Sequence, residues 1–291
     1  MTPSIEGKTS SISGARPEPD VKKTRSKTLL ITGAASGIGA ATARLAAGRG
    51  HRVILADVNL AGARAVAEAI GDRAVATALD ITSDEGWERV LGEAWARFGG
   101  LDVLVNNAAI VRTGRAEHVA IGDHQRTIDV NFMGPVKGML KTLPRFKAQG
   151  GGHFVTVCSM TAFLPFPGLA SCAAAKHALR AFHHALALEE RHGPLAFTIV
   201  HPTSTETPML EEEARSDEVN LAFASRSVTA DFVADVVLTA MEKKAVEIFM
   251  PPERARTVRL LGTSPRSLRK WADNAEAIGA ARLQARRAEG R

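Results

Sequence analysis

The chain of 291 residues contains no tyrosine and only two cysteines. The first absence removes every phenol from any site this chain builds by itself. The second, with Cys158 and Cys172 in no C-x-x-C pair, excludes a disulfide framework and a structural zinc, so no metal is expected and a reducing, cytoplasmic setting fits. No apolar run reaches eighteen residues, which excludes a membrane-spanning helix, and the polar N-terminus lacks the apolar core of a signal peptide. Aromatic residues are scarce at 5%, but hydrophobic residues supply 45% of the chain, enough for a full core at this length.

The net charge of +6 is unevenly placed. Residues 252–291 carry ten Lys/Arg against four Asp/Glu and residues 1–27 carry six against three, which leaves the body, 28–251, three charges negative. Basicity therefore belongs to the ends, and a nucleic-acid partner is not expected. The basic C-terminal extension reads as a solvated or packed segment, with contact to a membrane surface as the alternative.

What is present centres on the stretch Ile31-Thr-Gly-Ala-Ala-Ser-Gly-Ile-Gly39, followed by a helix and the strand Val53-Ile-Leu-Ala-Asp57. The apolar run Leu29–Thr32 suits a strand buried on both faces, and Gly33 opens a turn where a side chain would obstruct a phosphate. Gly37 and Gly39 start a helix whose free N–H groups and dipole make a seat for a pyrophosphate, with Ser36 and Ile38 beside them. Asp57, eighteen residues past Gly39, ends the second strand where an acid bonds a ribose 2′-hydroxyl. It would repel a 2′-phosphate, and no Arg or Lys follows until Arg64, so NAD(H) is expected over NADP(H).

Along the chain, residues 1–26 are rich in Ser, Pro, Gly, Thr and Lys and are read as a disordered leader. A single domain over 27–251 then alternates strand and helix. Helices are expected at 60–70, from a cap at Thr82-Ser-Asp-Glu85 to Phe98, at 120–149 with a possible break near Gly134-Pro135, and at 171–191 and 229–243. Strands are expected at 74–79, 101–105, 153–157, 195–200 and 246–249. Strict alternation implies a Rossmann-type, doubly wound parallel sheet of the α/β class. Beyond it, Leu268, Trp271, Ala275, Ile278 and Ala281 mark a rough apolar stripe on a terminal helix over which Gly279 sits awkwardly.

Ligands of such sheets sit at the carboxyl ends of the strands. That places Asp80, with Ile81, at an adenine and Asn106 and Asn107 at the ribose side. The glycine spacing T-G-x-x-x-G-I-G, the sequence Asn106-Asn107-Ala108-Ala109, and Ser159 with Lys176 resemble the short-chain dehydrogenase/reductase family over about residues 27–251. The resemblance implies an enzyme that interconverts an alcohol and a carbonyl on a small molecule, as a homodimer or homotetramer built through residues 120–148 and 172–191. It implies roles for Ser159 as the group polarising the substrate oxygen, Asn131 as a helix-bending residue in a proton relay, and Lys176 as a ribose ligand. Pro202, Thr205 and Thr207 would hold the nicotinamide, although Thr203 replaces a glycine of the family pattern and is strained if its φ must be positive.

The family pattern is Tyr-x-x-x-Lys; here it is Cys172-Ala-Ala-Ala-Lys176. A thiol beside Lys176 is expected to have a lowered pKa, but its sulfur falls short of a phenol oxygen by about 3–4 Å, so it would relay a proton only through water. Cys172 as a nucleophile and Cys172 as an inert core residue are the alternatives. A nucleotide-binding regulator or silent partner subunit, and a lyase or isomerase using the same pocket, remain beside the redox reading. Met160, Phe163, Leu164, Phe166 and Leu169 form either a wall for a hydrophobic substrate or ordinary core.

Overall fold

The computed structural model describes residues 25–290; the leader expected over 1–26 lies almost wholly outside them. Strand β1 (Thr28–Thr32) leads through α1 (Gly37–Gly48) to β2 (Arg52–Asp57), then through α2 (Leu60–Ile70) to β3 (Ala74–Ala78). Next come α3 (Asp84–Phe98), β4 (Val103–Asn106), α4 (Ile121–Ile128), α5 (Gly134–Ala148) and β5 (Gly152–Val157). Helix α6 (Ala170–Glu189) precedes β6 (Leu195–Pro202), a short β7 (Thr205–Glu206) and α7 (Pro208–Ala214). A short β8 (Val228–Thr229), α8 (Ala230–Lys243), β9 (Glu247–Met250), α9 (Arg254–Gly262) and α10 (Pro265–Ala288) complete the described chain.

Seven strands form one parallel sheet in the order β3-β2-β1-β4-β5-β6-β9, and β7 pairs only with β8. The order reverses between β1 and β4, so the two βα turns there diverge and open a crevice at their carboxyl ends. Side chains alternate along each strand. Leu29, Ile31, Val53 and Val105 face α1, α2 and α8, whereas Leu30, Ile54, Leu104 and Phe154 face α3, α5 and α6. Two helical layers on one sheet are what near-continuous apolar strands require.

Local chemistry sets the boundaries. Ser83 accepts a hydrogen bond from the Gly86 N–H at 2.9 Å to start α3, and Gly99, in the left-handed conformation, ends it. The break expected at Gly134-Pro135 does not occur: Pro135 falls in the first turn of α5, where its missing N–H costs nothing. The irregularity lies just before it, in a π-helical turn, Asp129–Met133, joining α4 to α5.

The terminal segment is a structural part of the domain. Gly262 sits so close to Phe163 that a Cβ would lie 2.7 Å from the Phe163 carbonyl oxygen, and at Gly279 a Cβ would lie 1.9 Å from that of Asn220. Gly279 therefore lets α10 pack against the 3-10 segment Asp217–Phe223. Trp271, Ala275 and Leu283 turn inward, while Ala281 is exposed and Ile278 half so, which shifts the expected stripe toward Ala275, Gly279 and Leu283. Arg286 clamps Glu206 with two bonds of 2.9 and 2.8 Å, and Arg287 donates to the Ala214 carbonyl at 2.8 Å.

Candidate active site

One cavity of about 690 Å³ runs from the β1–α1 turn, past the ends of β4, β5 and β6, to the inner faces of α7, α9 and α10. At one end Gly33 (φ +65°) and Gly37 (φ +52°) hold backbone that L side chains rarely adopt, and a Cβ on Gly33 would lie 2.7 Å from Ala108 Cα. Ser36 is the N-cap of α1, and its side chain makes no capping bond, which leaves both its hydroxyl and the helix's first N–H groups directed to a ligand. Gly39 does not line the cavity; it seats the helix on the turn, where a Cβ would lie 2.1 Å from the Gly33 carbonyl oxygen. Ile38 lines the cavity beside Gly37.

Asp57 faces the same space. Its carboxylate accepts from the N–H of Ala35 and of Asn59, both at 2.9 Å, which orients it and leaves two acceptor positions for hydroxyl donors. Asp80 is held by Thr82, whose hydroxyl (2.7 Å) and N–H (2.9 Å) both donate to Oδ1 and keep its carboxyl below the ordinary value. Ile81 adds an apolar surface beside it.

The two asparagines divide their work differently from expectation. Asn107 lines the cavity, but its side-chain amide donates to the carbonyls of Thr32 (2.9 Å) and Gly33 (3.1 Å), bracing the phosphate turn. Asn106 ends β4 as a buried residue that does not line the cavity, because the strand's alternation points it at the α5 layer. A Cβ on Gly138 of that helix would lie 3.3 Å from its Oδ1.

At the other end stand Ser159, Cys172 and Lys176. Ser159 Oγ accepts from the Thr161 N–H at 3.1 Å, which frees its O–H to donate into the cavity. Lys176, 8% exposed, donates to the Val157 carbonyl at 3.4 Å. Asn131 lies in the π-helical turn, and its amide both accepts from and donates to the Ile110 backbone at 2.8 Å. Its Nδ2 also points at Cys172 Sγ, 3.7 Å away, and that thiol donates to the Ile110 carbonyl at 3.6 Å. The expected activation of the thiol is overturned: burial pushes the Cys172 pKa up, and Lys176 only partly offsets it. His177 turns away to the Ala173 carbonyl at 2.8 Å, and among the described residues no histidine hydrogen-bonds the thiol.

Pro202, Thr205 and Thr207 line the cavity after β6, and Thr207 caps α7. The strain expected at Thr203 is absent, since among the described residues Lys244 is the non-glycine residue with a positive φ. The Thr203 N–H donates to the Met250 carbonyl at 3.0 Å.

The profile of the family described as short chain dehydrogenase matches residues 27–218. The chain belongs to the short chain dehydrogenase family. Among curated proteins it is 36% identical over 192 residues to a trans-4-hydroxycyclohexanecarboxylate dehydrogenase of Sinomonas cyclohexanicum, covering 63% of this chain and 74% of that one. It is 32% identical over 219 residues to a cyclohexanol dehydrogenase of Acinetobacter sp. strain SE19, covering 74% and 87%. Among solved structures, a 3-ketoacyl-(acyl-carrier-protein) reductase from Brucella melitensis, crystallised with NADH, superposes with a TM-score of 0.70 at 30% identity over 77% of this chain and 95% of that one. This short chain dehydrogenase is an oxidoreductase by family.

Two groups escaped the sequence reading. Glu213, on α7, lines the cavity, and burial raises its pKa to about 7. A carboxylate in the run Glu211-Glu212-Glu213 looks solvated in sequence, and only helix phase turns the third one inward. Behind the site, His201 donates through Nδ1–H to the Ser159 carbonyl (3.0 Å) and pairs with Glu247 (3.0 Å) through Nε2. Glu247 also meets Arg180 (3.0 Å), His184 (3.2 Å) and Arg259 (2.7 Å). Burial alone would raise the Glu247 carboxyl, but these four partners hold it well below the carboxylate range. His201 is raised likewise, because Cys158, Glu247 and the Ser159 carbonyl outweigh the burial that opposes its charge. The backbone that presents Ser159 is thus tied to a buried ionic cluster.

Proposed function

We propose that the protein is an NAD(H)-dependent oxidoreductase that interconverts an alcohol and a carbonyl on a hydrophobic small molecule of alicyclic size. The observation that carries this reading is continuity: the phosphate cradle at Gly33–Gly37 and the pair Ser159–Lys176 open on one cavity. The cofactor would supply or accept the hydride. Toward it, α1 and Ser36 would hold the pyrophosphate, Asp57 and Asp80 the adenosine, Lys176 the second ribose, and Thr205 and Thr207 the carboxamide side. The Asp57 carboxylate, held by two backbone N–H groups with acceptor positions to spare, with Val58 exposed next to it and no cation adjacent in sequence, supports NAD(H) over NADP(H).

Ser159 would donate to the substrate oxygen and stabilise charge growing there. Much of the rest of the chamber is apolar, with Leu164, Phe166, Leu169, Leu261, Trp271 and Ile278 among its lining residues. Such a lining favours a compact ring or steroid-like ketone over a polar one, which agrees with the names of the cyclohexane-derived relatives. The protein would work as a homo-oligomer in the cytoplasm.

Calorimetry with NADH and NADPH, followed by turnover on cyclic alcohols and ketones, tests the reading. Uptake of NADH with oxidation of a cyclic alcohol supports it. The neutral thiol at position 172 favours one rival, a silent nucleotide-binding regulator, and NADH uptake with no turnover on any substrate of that panel would select it. No uptake of either cofactor would overturn both.

A further inference from the structure

An alcohol and a carbonyl interconvert only if some group exchanges a proton with the substrate oxygen, and its pKa should lie near the working pH. The residues at the Ser159 end of the cavity are few. Ser159 is an aliphatic hydroxyl and Lys176 donates to a backbone carbonyl. Cys172 is driven toward the neutral thiol by burial and donates to Ile110. Asp57 and Asp80 are bonded at the adenosine end. Glu213 remains.

Its placement is unusual for a carboxyl. It lies on α7, two turns after the Thr207 cap, and lines the cavity beside Leu210, which packs in one apolar cluster with Leu169 and Cys172. Glu213 and Cys172 lie close enough for the carboxyl's charge to raise the thiol's pKa. Among the described residues the Glu213 carboxyl makes no hydrogen bond or ion pair, although its backbone carbonyl accepts from the Ser216 N–H at 3.1 Å, and the cations nearby are engaged elsewhere. Arg112 pairs with Asp123 (3.2 Å), Arg286 with Glu206 (2.8 Å), and Arg287 with Asp217 (2.6 Å). Glu213 is half-buried, and a carboxyl that lines an apolar wall without a partner is costly as an anion, so its pKa is raised to about 7.

We propose that Glu213 exchanges the proton with the substrate oxygen, doing with a carboxyl what a chain without tyrosine cannot do with a phenol. The proposal rests on the oxidoreductase reading above. In the reducing direction the Glu213 O–H bond breaks and its proton passes to the carbonyl oxygen as the carbonyl carbon takes the hydride supplied by the nicotinamide. Glu213 is left as a carboxylate and regains a proton from water. In the oxidising direction the Glu213 carboxylate takes the hydroxyl proton.

Glu213→Gln tests this with two independent readouts. In cofactor-free protein, folded Glu213 holds a proton up to about pH 7 that the unfolded chain releases near 4.5, so the wild type loses stability as pH rises across that range. The glutamine variant lacks this loss, and its melting temperature should exceed the wild type's increasingly from pH 5 to pH 8. In turnover, kcat should fall about 10²–10⁴-fold and its inflection near pH 7 should vanish, while NADH uptake stays within twofold. A melting-temperature difference independent of pH would overturn the proposal whatever the activity. A variant with kcat within threefold of the wild type would overturn it too, while leaving the oxidoreductase reading intact. Absence of NADH uptake by the wild type would remove both.

Discussion

Asp57 carries the choice of cofactor, and its two bonds to the Ala35 and Asn59 N–H groups make it a preset acceptor. A ribose with free hydroxyls gains from it, whereas a 2′-phosphate meets like charge. Asp57→Ala should weaken NADH binding about tenfold, leave NADPH binding equal or stronger, and so narrow the ratio that calorimetry measures. Residue identity made Asp57 legible in the sequence, because the acid stands at a set distance from a glycine turn. The same approach misjudged Cys172: a lysine one helical turn away suggested activation, and only the fold shows that the thiol is enclosed by Ile110, Asn131 and the α7 cluster. Thr203 was misjudged for the reverse reason, since strain belongs to a φ value that no side chain reveals.

At the scale of elements, the cavity is closed by pieces that have no part in the sheet. Helix α10 reaches its seat because residue 279 has no side chain, and Trp271, Ala275 and Ile278 on its earlier turns then form one wall. Gly279→Val places a branched side chain against the Asn220 carbonyl, with a cost of about 1–3 kcal/mol from overpacking. We expect a lower melting temperature and a substrate KM raised more than kcat is lowered, with NADH uptake nearly unchanged, as steady-state kinetics and calorimetry would show. In sequence Gly279 looked like a flaw in a helix; it is the contact that lets the helix dock. The π-helical turn at Asp129–Met133 was likewise hidden, because the proline nearby drew attention to a break that helical N-terminal geometry accommodates.

For the molecule as a whole, buried histidines govern the response to acid. His153 and His183 are pushed down to about 3 by burial, each bonded to a threonine, Thr198 (2.8 Å) and Thr156 (3.0 Å). Unfolded, they take up protons near 6.5, so each costs stability as pH falls from about 6.5 toward 3, at about 1.4 kcal/mol per pH unit. Glu213 acts in the opposite sense between about 4.5 and 7, and His201, with its raised pKa, contributes most below 6.5 and loses that contribution as pH rises. Urea unfolding between pH 6 and 5 should therefore show His183→Gln with a stability-versus-pH slope smaller than the wild type's by about 1.4 kcal/mol per unit, that is, less loss in acid. A variant with the wild-type slope would mean His183 is not the group involved.

The proposed oligomer belongs to this scale as well. Ile121, Leu140 and Leu188, on α4, α5 and α6, are 84%, 49% and 64% exposed, on the stretches where the family resemblance implies subunit contacts. Leu140→Glu should shift light scattering toward the monomer; a wild type already monomeric at micromolar concentration would argue against the assembly.

The sequence by itself determined the order of the sheet strands and of the helices that join them, though not α7, α9 or the short β7–β8 pair, together with the glycine turn, the acid of the second strand and the family, because these depend on spacing and on apolar runs that act locally. Tertiary structure alone decided the inward turn of Glu213, the neutrality of Cys172, the separate fates of Asn106 and Asn107, and the closing of the cavity by α10. Those outcomes depend on which groups are withdrawn from water together, and that is set by chains distant in sequence meeting across the sheet.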